Sequence, residues 1–179
     1  MSTREELKRF DASGIDWESV GLMPVEEPVA YFCTPADAEI FASLGVDGIH
    51  FVLLPGDERV FCVDPAMGEI GTYVLPVAEN FREFLSFVLY CRDANPLSQI
   101  YWLSEERFRN LLKESAEARW PGCEEFFART ARAVEAIAES FGLEPADPYG
   151  PVKAMQAAFD PSVLHFSPEY YDVLGLDMP

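Results

Sequence analysis

The sequence predicts an α+β fold: a small, mainly antiparallel sheet packed on one buried central helix, followed by a C-terminal helical extension. Three observations carry this. Residues 72–93 change period halfway, from a strand ending near Pro76 to a helix with Phe81, Phe84, Leu85, Val88 and Leu89 on one face. Upstream, short apolar runs alternate with turn signals over residues 49–77, the pattern of a meander. Downstream, a long alanine-rich helical pattern leads into a tail too apolar to hang free, with Tyr170, Tyr171, Val173, Leu174 and Leu176.

The chain has 179 residues, 49% of them apolar and 13% aromatic, enough for one domain with a sizeable core. Residues 4–12 open it as a short helix with Leu7 and Phe10 inward. Val29 to Cys33 read as a first strand by β-branched and aromatic content. Thr34, Pro35 and Asp37 carry a helix-start signature, and Ile40, Phe41 and Leu44 supply a buried stripe that predicts a helix over residues 35–44. Residues 49–54 and 59–64 form a hairpin across the Pro55-Gly56-Asp57-Glu58 turn, with residues 70–77 as a third strand. Phe87, Tyr90 and Cys91 widen the apolar face of the central helix, so it should be buried on more than one side. A short helix follows Asn95-Pro96, another starts at Ser104 with Phe108, Leu111 and Leu112 inward, and a long one spans residues 124–141. After a Pro- and Gly-rich connector, residues 152–159 and a turn from Ser167 complete the chain. Residues 1–179 are thus read as a single domain, with the extension over 121–179 docking back on the core.

Chemistry is far less legible. His50 and His165 share no metal-binding spacing. No Gly-x-Ser-x-Gly elbow or phosphate loop is present. Cys33, Cys62, Cys91 and Cys123 form no Cys-x-x-Cys pair and read as buried small hydrophobes, with disulfides or a zinc site as the alternatives. No cofactor is expected. His50 could lie opposite Cys62 or Asp64 across the hairpin, and with turn acids this gives the alternative of a small hydrolase. The apolar runs are too short to span a bilayer and the N-terminus has no export segment, so a cytoplasmic setting is expected.

Charge is the strongest functional signal. The formal net charge is −18, and Arg59 is the only base across residues 29–78. Such a surface repels nucleic acid and anionic membranes and favours a basic protein partner. Plain solubility is the bland reading of the same charge. The turn acids Asp57, Glu58, Asp64 and Glu69 are the candidate partner-binding residues.

The helix read over 35–44, the two hairpin strands, and above all Pro76-Val-Ala-Glu-Asn-Phe81-x-x-Phe84-Leu85 resemble the SUKH superfamily over roughly residues 30–112. That superfamily includes bacterial immunity proteins and fungal cell-wall synthesis regulators. The resemblance implies a binding module without shared catalytic residues, which neutralises a toxin domain, often a nuclease, by direct contact. A general interaction or regulatory protein is the remaining reading.

Overall fold

A computed structural model describes residues 1–178. The chain opens with α1 (Thr3–Asp11), a short 3₁₀ turn at Glu18–Val20 and strand β1 (Met23–Pro24). Strands β2 (Glu39–Ser43), β3 (His50–Leu53), β4 (Val60–Val63) and β5 (Val74–Ala78) follow. Together they form one five-stranded antiparallel sheet in the order β1-β2-β3-β4-β5. Helices α2 (Phe81–Cys91), α3 (Asn95–Gln99), α4 (Glu105–Glu117) and α5 (Cys123–Phe141) come next. The tail contributes α6 (Tyr149–Ala158), a 3₁₀ turn at Pro161–Val163 and α7 (Pro168–Leu174). The fold is α+β.

Helix α2 is the hub. Asn80 caps it by accepting the Glu83 N–H at 2.9 Å, and Arg92 ends it in a left-handed conformation. Phe81, Phe84, Leu85, Phe87, Val88 and Leu89 are all buried. Phe84 meets Phe51 of β3 and Phe41 of β2, while Phe81 meets Phe10 of α1. A half-buried salt link supports this side: buried Glu6 pairs with the partly exposed Arg82 at 3.2 Å, and Arg82 also donates to the Phe141 carbonyl at the end of α5.

Strands β3 and β4 are buried on both faces, and the period of two divides them cleanly. Phe51, Leu53, Val60, Cys62 and Val77 point into the core shared with α2. Val52, Phe61, Val63 and Val74 point into a second cluster with Cys33, Leu164 and Tyr170. The tail therefore covers the sheet face opposite the hub. Gln156 of α6 donates to the Pro76 carbonyl at 3.3 Å, Phe159 packs on Phe61, and Ala36 donates to the His165 carbonyl at 2.8 Å.

Three expectations are corrected. Residues 35–44 are no helix. They make a turn and then β2, whose register with β3 shifts between Ile40 and Ala42. That bulge places consecutive Phe41 and Ala42 in the same core, destroying the alternation that would have marked a strand. Val29 to Cys33 are no strand. The Thr34 hydroxyl, read as a helix cap, instead accepts the Tyr31 N–H at 2.8 Å, while the Thr34 N–H donates to the Tyr31 carbonyl, which closes a turn. Residues 70–73 belong to a long turn rather than the third strand, and Pro76 lies inside β5. As an edge strand, β5 can spare an N–H there. One point of the SUKH resemblance, the helix over 35–44, is thereby lost.

Candidate functional site

The expected acidic residues separate to opposite ends of the sheet, because Asp57 and Glu58 precede β4 whereas Asp64 and Glu69 follow it. A four-residue strand holds them about 13 Å apart along its axis. The first pair is engaged within the chain. Asp57 receives a two-nitrogen hydrogen bond from Arg59, the closer contact at 2.7 Å. Burial pushes the Asp57 carboxyl up, but the Arg59 hydrogen bonds and charge outweigh it and leave the group below its ordinary value. The Glu58 carboxylate accepts the Thr3 N–H at 2.5 Å, and its carbonyl accepts the Thr3 hydroxyl at 2.5 Å. Thr3 is 2% exposed and accepts the Phe81 N–H in turn, so Glu58 ties α1 to the start of the hub. A carboxylate at a helix N-terminus also complements the helix dipole.

At the other end, His50 pairs with Val63, which brings the turn over residues 44–49 beside the turn over 64–73. Asp64 is buried and accepts the N–H groups of Ala66 and Met67 at 3.1 and 2.9 Å, an Asx turn that shapes the loop. Glu69 is exposed.

His50 faces neither Cys62 nor Asp64. Its ring is 2% exposed, with Nδ1 2.7 Å from the Gly48 carbonyl and Nε2 3.1 Å from the Thr34 hydroxyl. A carbonyl only accepts, so Nδ1 carries the proton, and the neutral ring accepts from Thr34 through Nε2. Burial holds the imidazole below its ordinary value against the opposing bond to Gly48. Tyr31 stacks near this ring at 5.8 Å, and a side chain at Gly48 would strike the Tyr31 ring. Gly48 also has a φ of +70°, so glycine is required there twice over. The arrangement is a satisfied structural histidine. Asp64 borders a cleft of about 20 Å³, and the groove that His50 lines contains neither Asp64 nor Glu69. The carboxylate–imidazole pair that hydrolysis would use is not assembled.

That groove was not legible in the sequence. It encloses about 550 Å³ between β1, the loop after it and the turn over residues 44–49. Three carboxylates line it, Glu26, Glu27 and Asp47, all exposed, and none makes an ion pair among the described residues. Exposed Met23, Val29, Tyr31 and Val46 stand between them, and no lysine or arginine contributes to the lining. Pro24 and Pro28 bracket the acidic pair, which keeps that segment out of regular pairing beyond β1. The one available signal was Glu26-Glu27 between two prolines; the apposition of Asp47 is non-local.

All four cysteines are free, with Cys91 half-buried and the others buried. Burial raises the Cys33 thiol to about 12, and also raises Cys62, so neither is a thiolate at neutral pH. Among the described residues, no group of three or more His, Cys, Asp or Glu side chains could hold a metal ion, and no helix is long and apolar enough to cross a membrane. Comparison of the chain with protein-family models, curated proteins and solved structures finds no match in any of the three.

Proposed function

We propose that this chain is a non-catalytic binding module for a basic protein, received at the groove beside β1. One observation carries the reading: the groove mixes three unpaired, exposed carboxylates with exposed apolar side chains and contains no competing base. Apolar anchors supply binding energy while the carboxylates select and steer a cationic surface. Elsewhere seven of the thirteen bases are already engaged in ion pairs among the described residues. Arg4, Arg9, Arg59, Arg82, Arg109, Arg129 and Arg132 each face a carboxylate of this chain, which leaves most of the 31 acids without an internal partner. The SUKH resemblance suggests a specific form of this reading, an immunity protein that neutralises a nuclease-type toxin domain. Free cysteines accord with a reducing, cytoplasmic setting.

The test is capture from an extract of the native cells by the immobilised chain, run beside the variant Glu26→Gln/Glu27→Gln/Asp47→Asn. The reading requires a basic protein retained by the parent chain, released by salt and lost from the variant. Equal retention by both chains, or retention of acidic proteins only, contradicts it.

A further inference from the structure

The groove beside β1 has a shape as well as a charge. It encloses about 550 Å³, within the range of sites that take up a small ligand, so it admits a protruding segment where a flat protein face would only bridge it. Its floor is uncharged: Ile49 and His50 are buried, and Ile40 and Ser43 half-buried. Tyr31 stacks on the His50 ring, which burial keeps neutral, so nothing on the floor opposes a cation. The carboxylates come from two separate loops, Glu26 and Glu27 from the segment after β1 and Asp47 from the turn between β2 and β3. Exposed Met23, Val29 and Val46 line the groove with them. Apolar walls under an acidic rim match a side chain built the same way, an aliphatic stem that carries a cationic head.

The main chain along the groove is free as well. Strand β1 lies at the edge of the sheet and is two residues long. After it, Glu26, Glu27, Val29 and Ala30 are exposed, and none donates or accepts a backbone–backbone hydrogen bond among the described residues. Exposed main chain beside a sheet edge is where an extended segment of another protein adds itself, its backbone giving affinity and its side chains specificity.

We propose that the groove receives an extended segment of its basic partner and takes in one lysine or arginine side chain, stem against Met23, Val29 and Val46 and cationic head among Glu26, Glu27 and Asp47. This rests on the function proposed above and narrows the partner's contribution to a linear motif, a long cationic side chain between apolar neighbours.

The experiment titrates the full chain with three capped pentapeptides, Gly-Leu-X-Leu-Gly with X as arginine, lysine or the neutral citrulline, and follows the backbone amides by NMR. The arginine peptide, the lysine peptide or both should shift Val29, Tyr31, Val46, Asp47 and Gly48 saturably, and the tighter of the two identifies the cation. The citrulline peptide should bind about tenfold more weakly or worse. Glu26→Gln/Glu27→Gln/Asp47→Asn should abolish saturable binding. Val29→Asn/Val46→Asn, which keeps every charge and changes two exposed positions, should weaken the cationic peptides about fivefold. Equal binding by all three peptides, shifts spread over other acidic faces, or parent-like binding by either variant overturns the inference. A basic protein retained through the groove acids while no peptide saturates overturns the segment and leaves the wider function standing; saturating peptides with no basic protein retained do the reverse.

Discussion

At the end of the sheet formed by residues 54–59, Glu58 holds the start of α1, Asp57 holds Arg59, and Arg4 reaches both Glu39 and the Leu54 carbonyl. At the opposite end, Glu26, Glu27 and Asp47 line an open groove and hold no base. Two sets of acids on one molecule thus stand in different surroundings. A carboxylate bonded to a buried threonine is part of the scaffold, and removing it loosens the fold. An exposed carboxylate without a partner costs the fold little and is available to another molecule.

Substitutions should expose that contrast. The largest effect belongs to the hub that both ends share. Phe84→Ala leaves a cavity between Phe51, Phe41 and Phe81 and should lower stability by about 3–5 kcal/mol, read from the urea midpoint. At the closed end, Thr3→Val strips the Phe81 N–H of its acceptor and Glu58 of one donor, an expected loss of about 1–3 kcal/mol. At the open end, Glu26→Gln/Glu27→Gln/Asp47→Asn should change the urea midpoint by no more than about 0.5 kcal/mol, in either direction. A loss as large as that of Thr3→Val would erase the distinction between the ends.

Titration separates them as well. His50 has a depressed folded-state pKa, so its contribution to stability is complete above the unfolded value of about 6.5 and is lost as the pH falls through the folded one. Urea midpoints should decline from pH 7.5 to 5.5, and His50→Gln should flatten that slope. Asp57 is depressed too, and its contribution is present above about 3.8 and vanishes as the pH falls through its lower folded value. Asp93 runs the other way. Burial raises its pKa, so its favourable share belongs below about 3.8 and is lost as the pH rises, and Asp93→Asn should stabilise the chain at pH 7.

What the sequence made legible follows from how local each signal is. Helix α2 announces itself through five apolar residues at helical spacing, all within one stretch. The hairpin between β3 and β4 is equally local. Strand β2 was hidden because a bulge merged two residues onto one face, a fact visible only beside β3. Residues 29–33 have strand composition without a strand partner, and the Thr34 side chain decides their turn. The candidate site was legible in kind, as surplus acid, but not in place. Glu58 meets Thr3 across 55 residues of sequence, while Asp47 reaches the groove from a different loop than Glu26 and Glu27. Short acids in turns look alike until their partners are known.

The role proposed for the open-end acids is recognition of a basic protein. The most direct measurement is the dissociation constant of the captured partner for three chains: the parent, Glu26→Gln/Glu27→Gln/Asp47→Asn, and the charge-matched control Glu114→Gln/Glu117→Gln/Glu139→Gln, whose exposed acids lie on α4 and α5. The groove variant should bind about tenfold more weakly or worse, and the helix control within about threefold of the parent. Equal weakening in both would reduce the attraction to net charge alone, and no weakening in the groove variant would contradict the assignment of the site.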